Sequence, residues 1–295
     1  MMSIAISRLR IPSLSTLAVV AAGAWLYAPV AAEMVQAWRT QDNASHGFLI
    51  LPIAGYLVWL DRARIARAYR GGATAAGLAW AGVALVMYLG GRWMEVEFLP
   101  PLSLVLMIGA QVLYFGGWGV LRASAFPCAF LLFMVPWPDL LVEFLSFPMQ
   151  LLSAKYAAML IGLFGIPVTR AGVDLHLASY TFSVGAPCSG MKTLVALLAL
   201  AALIAHLARG PRWKRTVLFA CGVPAALLAN VVRIVIILLI ATLVSARAAE
   251  GFFHGASGML VFVIALAGLL ATGRAMGLGG VLGGAGAEKS DAATG

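Results

Sequence analysis

The chain has 295 residues, of which 62% are hydrophobic and only 11% are charged, and its mean hydropathy is +0.97. A soluble domain of this length carries roughly a quarter charged residues, so the composition excludes a soluble globular protein and indicates a polytopic membrane protein. The formal net charge of +9 does not indicate nucleic-acid binding, because the basic residues form short clusters between apolar segments.

Apolar segments along the chain predict about eight transmembrane helices in an all-α fold. They lie near 13–32, 47–60, 73–91, 102–120, 124–137, 188–208, 216–245 and 257–273. The first segment is long enough for a full span, so we interpret it as an uncleaved helix and not as a secretory signal. The second and fifth segments are short for a span of about 20 residues.

The apolar region 140–165 is interrupted by Glu143, Pro148 and Lys155. We predict that it forms a helix lying in the membrane interface, or a re-entrant segment. A ninth span is the alternative, and it would invert the topology of the remaining chain. Between Gly165 and Pro187 the sequence alternates and is partly β-branched, which predicts one or two short strands outside the membrane.

Charge bias favours eight spans with the N-terminus inside, because thirteen basic residues then face the cytoplasm and five face the outside. The cytoplasmic residues are Arg8, Arg10, Arg62, Arg64, Arg67, Arg70, Arg122, Arg209, Arg212, Lys214, Arg215, Arg274 and Lys289. The outer residues are Arg39, Arg92, Lys155, Arg170 and Arg247. Most acidic residues also fall on the outer side, so we expect the chemistry there.

We expect one integral membrane domain over residues 1–275. A Gly/Ala-rich, flexible cytoplasmic tail is predicted over residues 276–295. The three cysteines, Cys128, Cys188 and Cys221, lack metal-type spacing, and we expect no disulfide framework.

Cys188 stands in the run APCSGMK, where a partly polar stretch gives way to an apolar segment. At the first turn of a membrane helix, backbone N–H groups and the helix dipole favour a thiolate. Pro187 preorganises a helix start, and Ser189 and Gly190 leave room for a substrate backbone. Lys192, one turn further on, adds positive potential near the thiol. Taken alone, a cysteine at a membrane helix is more often a small apolar filler.

Arg233 interrupts the apolar run LLANVVRIVIILLI, at a cost of at least about 2.5 kcal/mol on membrane-insertion scales. Such a residue by default faces the protein interior and marks a functional site. Asn230 lies on the same helical face. A straight helix would place Arg233 about 27 Å from Arg215, towards the outer side. A structural cation that pairs with a carboxylate or snorkels outward is the alternative.

Two histidines at predicted outer helix starts are further candidates. His254, in EGFFHGASGML, could activate Cys188 as a base and then protonate a leaving amine as an acid. An interfacial histidine in the headgroup region is its alternative role. His46, in NASHGFL, is a candidate substrate-binding or supporting residue, and an N-cap-like turn with Asn43 and Ser45 is the alternative.

The sequence contains no HExxH, GxSxG, P-loop or dinucleotide motif, so we expect neither the corresponding enzymes nor a cofactor. A metal site built from His46, His176 and His254 is open, but nothing in their spacing favours it. His206 has no assigned role.

Seven motifs in order make the chain resemble the exosortase/archaeosortase family of membrane-embedded cysteine transpeptidases. They are SHGFLILP (45–52), FLLFMVPWP (130–138), PMQ (148–150), GIPVTRAG (165–172), APCSGMKTL (186–194), LANVVRI (228–234) and HGASG (254–258). The resemblance implies a cysteine nucleophile, an arginine that stabilises the carbonyl or oxyanion, and a histidine acid/base. These roles fall on Cys188, Arg233 and His254.

The resemblance also implies substrates and a location. It predicts a bacterial inner-membrane enzyme, with its active site towards the periplasmic or outer face. Its partners would be the bilayer and membrane-anchored proteins with a C-terminal sorting signal, often Pro-Glu-Pro followed by one span and a basic cluster. The signal is cleaved through a thioester, and the product goes to a surface acceptor. Lys192 stands where relatives often have arginine, and Gly255 where an acidic residue is common.

A non-enzymatic transporter, or a scaffold of an exopolysaccharide or export system, is the rival hypothesis. In that case Arg233 would bind an anionic substrate at a helix break near Pro224, and Cys188 would be incidental. Paired broken helices in two related halves are typical of transporters, and the sequence shows no convincing internal repeat.

Overall fold

The computed structural model describes residues 14–41, 44–177, 180–184, 191–249 and 257–279. These residues are mostly α-helical, and the chain divides into two compact units, Met1–Pro138 and Asp139–Gly295. The predicted all-α polytopic class is confirmed, because six described helical segments are long and apolar enough to cross a membrane.

Among its described residues, the first unit contains six α-helices and a 3-10 helix. They are α1 (Leu14–Thr40), α2 (Gly47–Leu60), α3 (Arg62–Ala68), α4 (Thr74–Trp93), α5 (Leu99–Ala123), α6 (Ala125–Phe130) and the 3-10 helix Leu131–Met134.

In the part of the chain that the structure describes, the second unit includes five longer α-helices and a three-stranded sheet. They are α7 (Asp139–Leu163), β1 (Thr169–Ala171), β2 (Asp174–His176), β3 (Thr181–Ser183), α8 (Met191–Leu207), α9 (Arg212–Ala220), α10 (Gly222–Leu243) and α11 (Ser257–Ala275).

Each predicted span corresponds to an apolar helix, although three of these helices are short. The segments long enough to cross are Leu17–Thr40, Thr74–Trp93, Leu99–Ala123, Leu140–Leu163, Arg212–Leu243 and Gly258–Ala275. The shorter ones are Gly47–Leu60, Ala125–Met134 and Leu194–Leu207. The count of eight crossings therefore stays a prediction.

The structure differs most from expectation at α7. This helix is continuous over 25 residues, and Pro148 lies inside it. Its length is about 37 Å, more than the apolar core of about 30 Å, so it has the dimensions of the ninth span that was the alternative to an interfacial or re-entrant segment. Hydropathy undervalued this helix because Glu143 and Lys155 interrupt its apolar sequence, and both side chains are exposed.

The C-terminal half of α7 joins the sheet and the C-terminal half of α10 in one buried cluster, called here the sheet cluster. Its members are Ala154, Ala157, Ile161, Leu175, Phe182, Val184, Val231, Ile234, Val235, Ile237, Leu238, Ala241 and Ala249. Because the sheet packs against the C-terminal halves of both helices, α7 and α10 run in the same direction. A spanning α7 is therefore compatible, within this unit, with an outward-running α10 and an outer sheet.

The sheet has three antiparallel strands where one or two were expected, in the order β1, β2, β3. Leu175 is paired with Phe182, and both side chains are buried while their neighbours along the strands are more exposed. The strands thus turn one apolar face towards the helices. Gly172, at φ 64°, lies between β1 and β2, where an L side chain would be strained.

Basic side chains cap two helix C-termini in the first unit. Arg62 Nη1 donates to the carbonyl of Trp59, in the last turn of α2, at 2.8 Å. Arg64 Nη2 donates to the carbonyl of Ala123, the last residue of α5, at 2.6 Å. A cation at this position satisfies a carbonyl without an intrahelical partner and complements the helix dipole.

The second unit repeats this arrangement through α9. Arg215 donates through Nη2 to the carbonyl of His206 at 2.8 Å and through Nε to that of Ala205, in the last turn of α8. Lys214 Nζ donates to the carbonyl of Met276, which follows α11, at 2.6 Å. In each unit, residues assigned to the cytoplasmic side by charge bias therefore bind the ends of helices predicted to run inward.

The Arg215→Ala variant is expected to unfold at a lower temperature than the wild type. Its free energy of unfolding should fall by about 1 kcal/mol, because two carbonyls at the end of α8 lose a charged donor in a partly solvated setting. Tryptophan fluorescence during heating in one detergent would measure the shift. Arg212→Ala is the matched control, since Arg212 is an exposed arginine at the start of the same helix. Equal midpoints for Arg215→Ala and wild type would contradict the capping role.

The chain just after α11 folds back onto the connection between α8 and α9. Leu278 is buried, and Arg209 and Gly279 exchange two backbone hydrogen bonds of 2.7 and 3.0 Å. Residues 276–279 of the predicted tail are therefore packed, while residues 280–295 lie outside the described part of the chain.

Candidate active site

Arg233 is buried in the middle of α10, with only 8% of its surface exposed. It lies ten residues before Leu243, which is about 15 Å along the helix. The predicted distance of about 27 Å from Arg215 assumed one straight helix. In the structure, α9 ends at Ala220 and α10 begins at Gly222. Arg233 is thus inside the protein, as its high insertion cost predicts.

Asn230, one turn before Arg233, is 1% exposed and makes a hydrogen bond to another helix. Its Nδ2 donates to Oγ of Ser153 on α7 at 2.9 Å, and Ser153 is fully buried. Sequence reasoning missed Ser153. The sequence around Ser153 gives no sign of its partner on α10, because a serine inside a helix can also bond a preceding carbonyl of its own helix.

Three predicted residues, Cys188, Ser189 and His254, lie outside the described residues. Lys192 belongs to the first turn of α8, but its side chain is also outside the description. Their distances from Arg233 therefore stay predictions.

The helices that follow Cys188 and His254 are described. Helix α8 begins at Met191 and α11 at Ser257, each three residues after the predicted catalytic residue. Their C-terminal halves meet in a second buried cluster, called here the α9 cluster. Its members are Ala201, Ile204, Ala205, Ala208, Leu218, Leu269 and Leu278.

The two helices have similar lengths, and their C-termini are bound by adjacent residues of α9, Arg215 and Lys214. We therefore expect the N-termini of α8 and α11 to lie at the opposite end of this helix group. Helix α10 runs between the two buried clusters, because Ala225 packs on the α9 cluster and Val231 belongs to the sheet cluster.

His46 contacts the end of the 3-10 helix in the first unit. Its Nε2 lies 2.9 Å from the carbonyl oxygen of Phe133, and Trp38 Nε1 donates to the carbonyl of Met134 at 2.9 Å. A Cβ added at Gly47 would clash with the indole of Trp38. The motif SHGF thus packs against the motif FLLFMVPWP. The alternative for His46 was an N-cap-like turn with Asn43 and Ser45, and Asn43 lies outside the described residues.

Within the described residues, no group of three or more His, Cys, Asp or Glu side chains could hold a metal ion. His254, a member of the metal set left open by the sequence, lies outside those residues.

Comparison with known protein families gives a match over most of the chain. The model of a family described as "Transmembrane exosortase (Exosortase_EpsH)" matches residues 38–271, which is most of the chain. No curated protein and no solved structure matches the chain significantly.

Proposed function

Because the chain belongs to the transmembrane exosortase family, we propose that it is a membrane cysteine transpeptidase whose nucleophile is Cys188. Membership indicates a membrane transpeptidase that acts on sorting signals. Our finer proposal is that it cleaves the C-terminal sorting signal of exported, membrane-anchored proteins and transfers them to a surface acceptor.

One observation carries this proposal. Arg233 is buried on α10, and α10 packs against both α8 and α11. Burying a guanidinium costs free energy, so a buried arginine in a membrane helix usually has a function. Family membership suggests that this function is the stabilisation of an oxyanion. The segments that carry Cys188 and His254 precede α8 and α11 in the sequence. We therefore expect nucleophile, cation and base on or next to three helices that contact one another.

In the proposed reaction, the Cys188 thiolate attacks the carbonyl carbon of the scissile peptide bond. The carbonyl electron pair moves onto oxygen, and the Arg233 guanidinium stabilises the resulting oxyanion. When the oxyanion collapses, the C–N bond breaks, and the leaving amine takes a proton from the His254 imidazolium. A thioester and neutral His254 remain.

An acceptor amine, or water, then attacks the thioester carbonyl. His254 takes the proton from this nucleophile, the C–S bond breaks, and the thiolate and imidazolium are restored. The bilayer assists, because a substrate anchored by its own helix presents the scissile bond at a fixed depth. We place the site towards the outer face of the bacterial inner membrane, in one domain over residues 1–275.

One structural observation favours the rival hypothesis of a transporter or scaffold. The apolar segment Arg212–Leu243 is divided at Cys221, three residues before Pro224, where that hypothesis requires a helix break. In that case Arg233 would bind an anion and the thiol of Cys188 would be inert.

Thiol labelling from the outside separates the two functions. We expect a membrane-impermeant alkylating reagent to modify Cys188 at least about ten times faster than Cys128 or Cys221, because the proposed site opens to the outer face and holds Cys188 as a thiolate. The latter two are free, half-buried thiols and serve as internal references in the same peptide digest. Equal, slow modification of all three thiols would support the scaffold.

A further inference from the structure

We propose that Ser153 is a positioning residue for Arg233 and that it acts through Asn230. This inference rests on the proposed function, in which Arg233 stabilises the oxyanion. It adds a residue on α7 to a site otherwise built from α8, α10 and the start of α11.

The contact between Ser153 and Asn230 is a polar link in an apolar helix interface. Both residues are buried, at 0% and 1% exposure, and the Nδ2 to Oγ distance is 2.9 Å. Around it, α7 contributes Ala154 and Ala157, which are small and fully buried and so allow close approach to α10. In such an interface a hydrogen bond between side chains has few competing partners and fixes one helix against the other.

The link reaches Arg233 through the geometry of α10. Residues three apart on a helix share a face and differ by about 4.5 Å along the axis. Holding Asn230 on α7 therefore limits rotation of the face that carries Arg233. An oxyanion is stabilised well only when the donor is already aimed at its position, so a small rotation would weaken the transition state and leave substrate binding intact.

Ser146 offers a matched control on the same helix. It is also buried, at 4% exposure, but its hydroxyl donates to the carbonyl of Val142 within α7. Ser153→Ala and Ser146→Ala thus remove the same atom from similar surroundings, and only the first breaks the link between helices. We expect Ser153→Ala to lower kcat about tenfold with KM unchanged, and Ser146→Ala to stay within about twofold of wild type.

A double-variant experiment tests whether Ser153 acts through the guanidinium. The rate of thioester formation on Cys188 would be measured for wild type, Ser153→Ala, Arg233→Lys and the double variant. We expect Ser153→Ala to have no further effect once Arg233 is replaced, because coupled residues are not additive. The same loss in both backgrounds, or none in the wild-type background, would overturn the proposal.

Two further measurements keep this result separate from the proposed function and from folding. Absence of any thioester in the wild type would sink the proposed function itself, whereas an unaffected Ser153→Ala variant beside an active wild type sinks only this inference. If Ser153→Ala does not accumulate in the membrane, Asn230→Leu removes the same link and keeps a side chain that branches at the same atom. That variant should show the same loss of kcat, and wild-type kcat in it would reject the positioning role.

Discussion

The Cys188→Ala variant is expected to accumulate and insert like the wild type and to cleave substrate at least about a thousandfold more slowly. The reason is that water cannot replace a positioned sulfur nucleophile in forming an acyl-enzyme. Cells that carry only the variant would be analysed for the ratio of uncleaved to cleaved substrate on a gel.

Cys221→Ala is the matched control for this experiment. Cys221 is a half-buried free thiol between α9 and α10, and it packs against the α9 cluster. We expect this variant to cleave substrate normally, because the proposed mechanism uses no second sulfur. Processing at the wild-type rate by Cys188→Ala would show that the nucleophile has been assigned to the wrong residue.

The Arg233→Lys variant is expected to lose about a hundredfold in kcat although the positive charge is kept. The ammonium of lysine is a point charge and lacks the planar arrangement of donors of a guanidinium. At a buried position, water cannot supply the missing hydrogen bonds. Initial rates of cleavage in detergent, at several substrate concentrations, would separate kcat from KM.

Arg274→Lys provides the comparison for Arg233→Lys. Arg274 is an exposed arginine in the last turn of α11, so the same chemical change there should leave the cleavage rate unaltered. If Arg233→Lys also cleaved at nearly the normal rate and melted at a lower temperature, Arg233 would be a helix-packing residue and no part of the catalytic machinery.

The apolar segments were predictable, because the mean hydropathy of a window of about 20 residues reflects the free energy of moving that segment from water into the bilayer. Mean hydropathy does not show where a helix is interrupted or whether it crosses the membrane. Hydropathy windows therefore joined α9 to α10, which are separate helices on either side of Cys221, and they undervalued α7 because two exposed charges interrupt it. The caps of α5, α8 and α11 depend on contacts between helices, so charge bias located the basic residues without revealing their partners.

Within the site, Arg233 and Asn230 were identifiable because polar groups are expensive in an apolar helix. Ser153 carries no such signal. A serine in a helix commonly satisfies its own hydroxyl on a preceding carbonyl, as Ser146 does, and only the approach of α10 distinguishes the two. The sequence marked His46 as a candidate residue but did not predict its partner, because the carbonyl of Phe133 is far away in the sequence.

Trapping the acyl-enzyme tests the central claim most directly. Enzyme quenched in acid during turnover would be digested and analysed by mass spectrometry. The proposed mechanism predicts that the peptide containing Cys188 gains the mass of the substrate's N-terminal fragment, through a bond that neutral hydroxylamine cleaves. Product accumulating in the same samples while Cys188 stays unmodified, or an adduct on another residue, would contradict it.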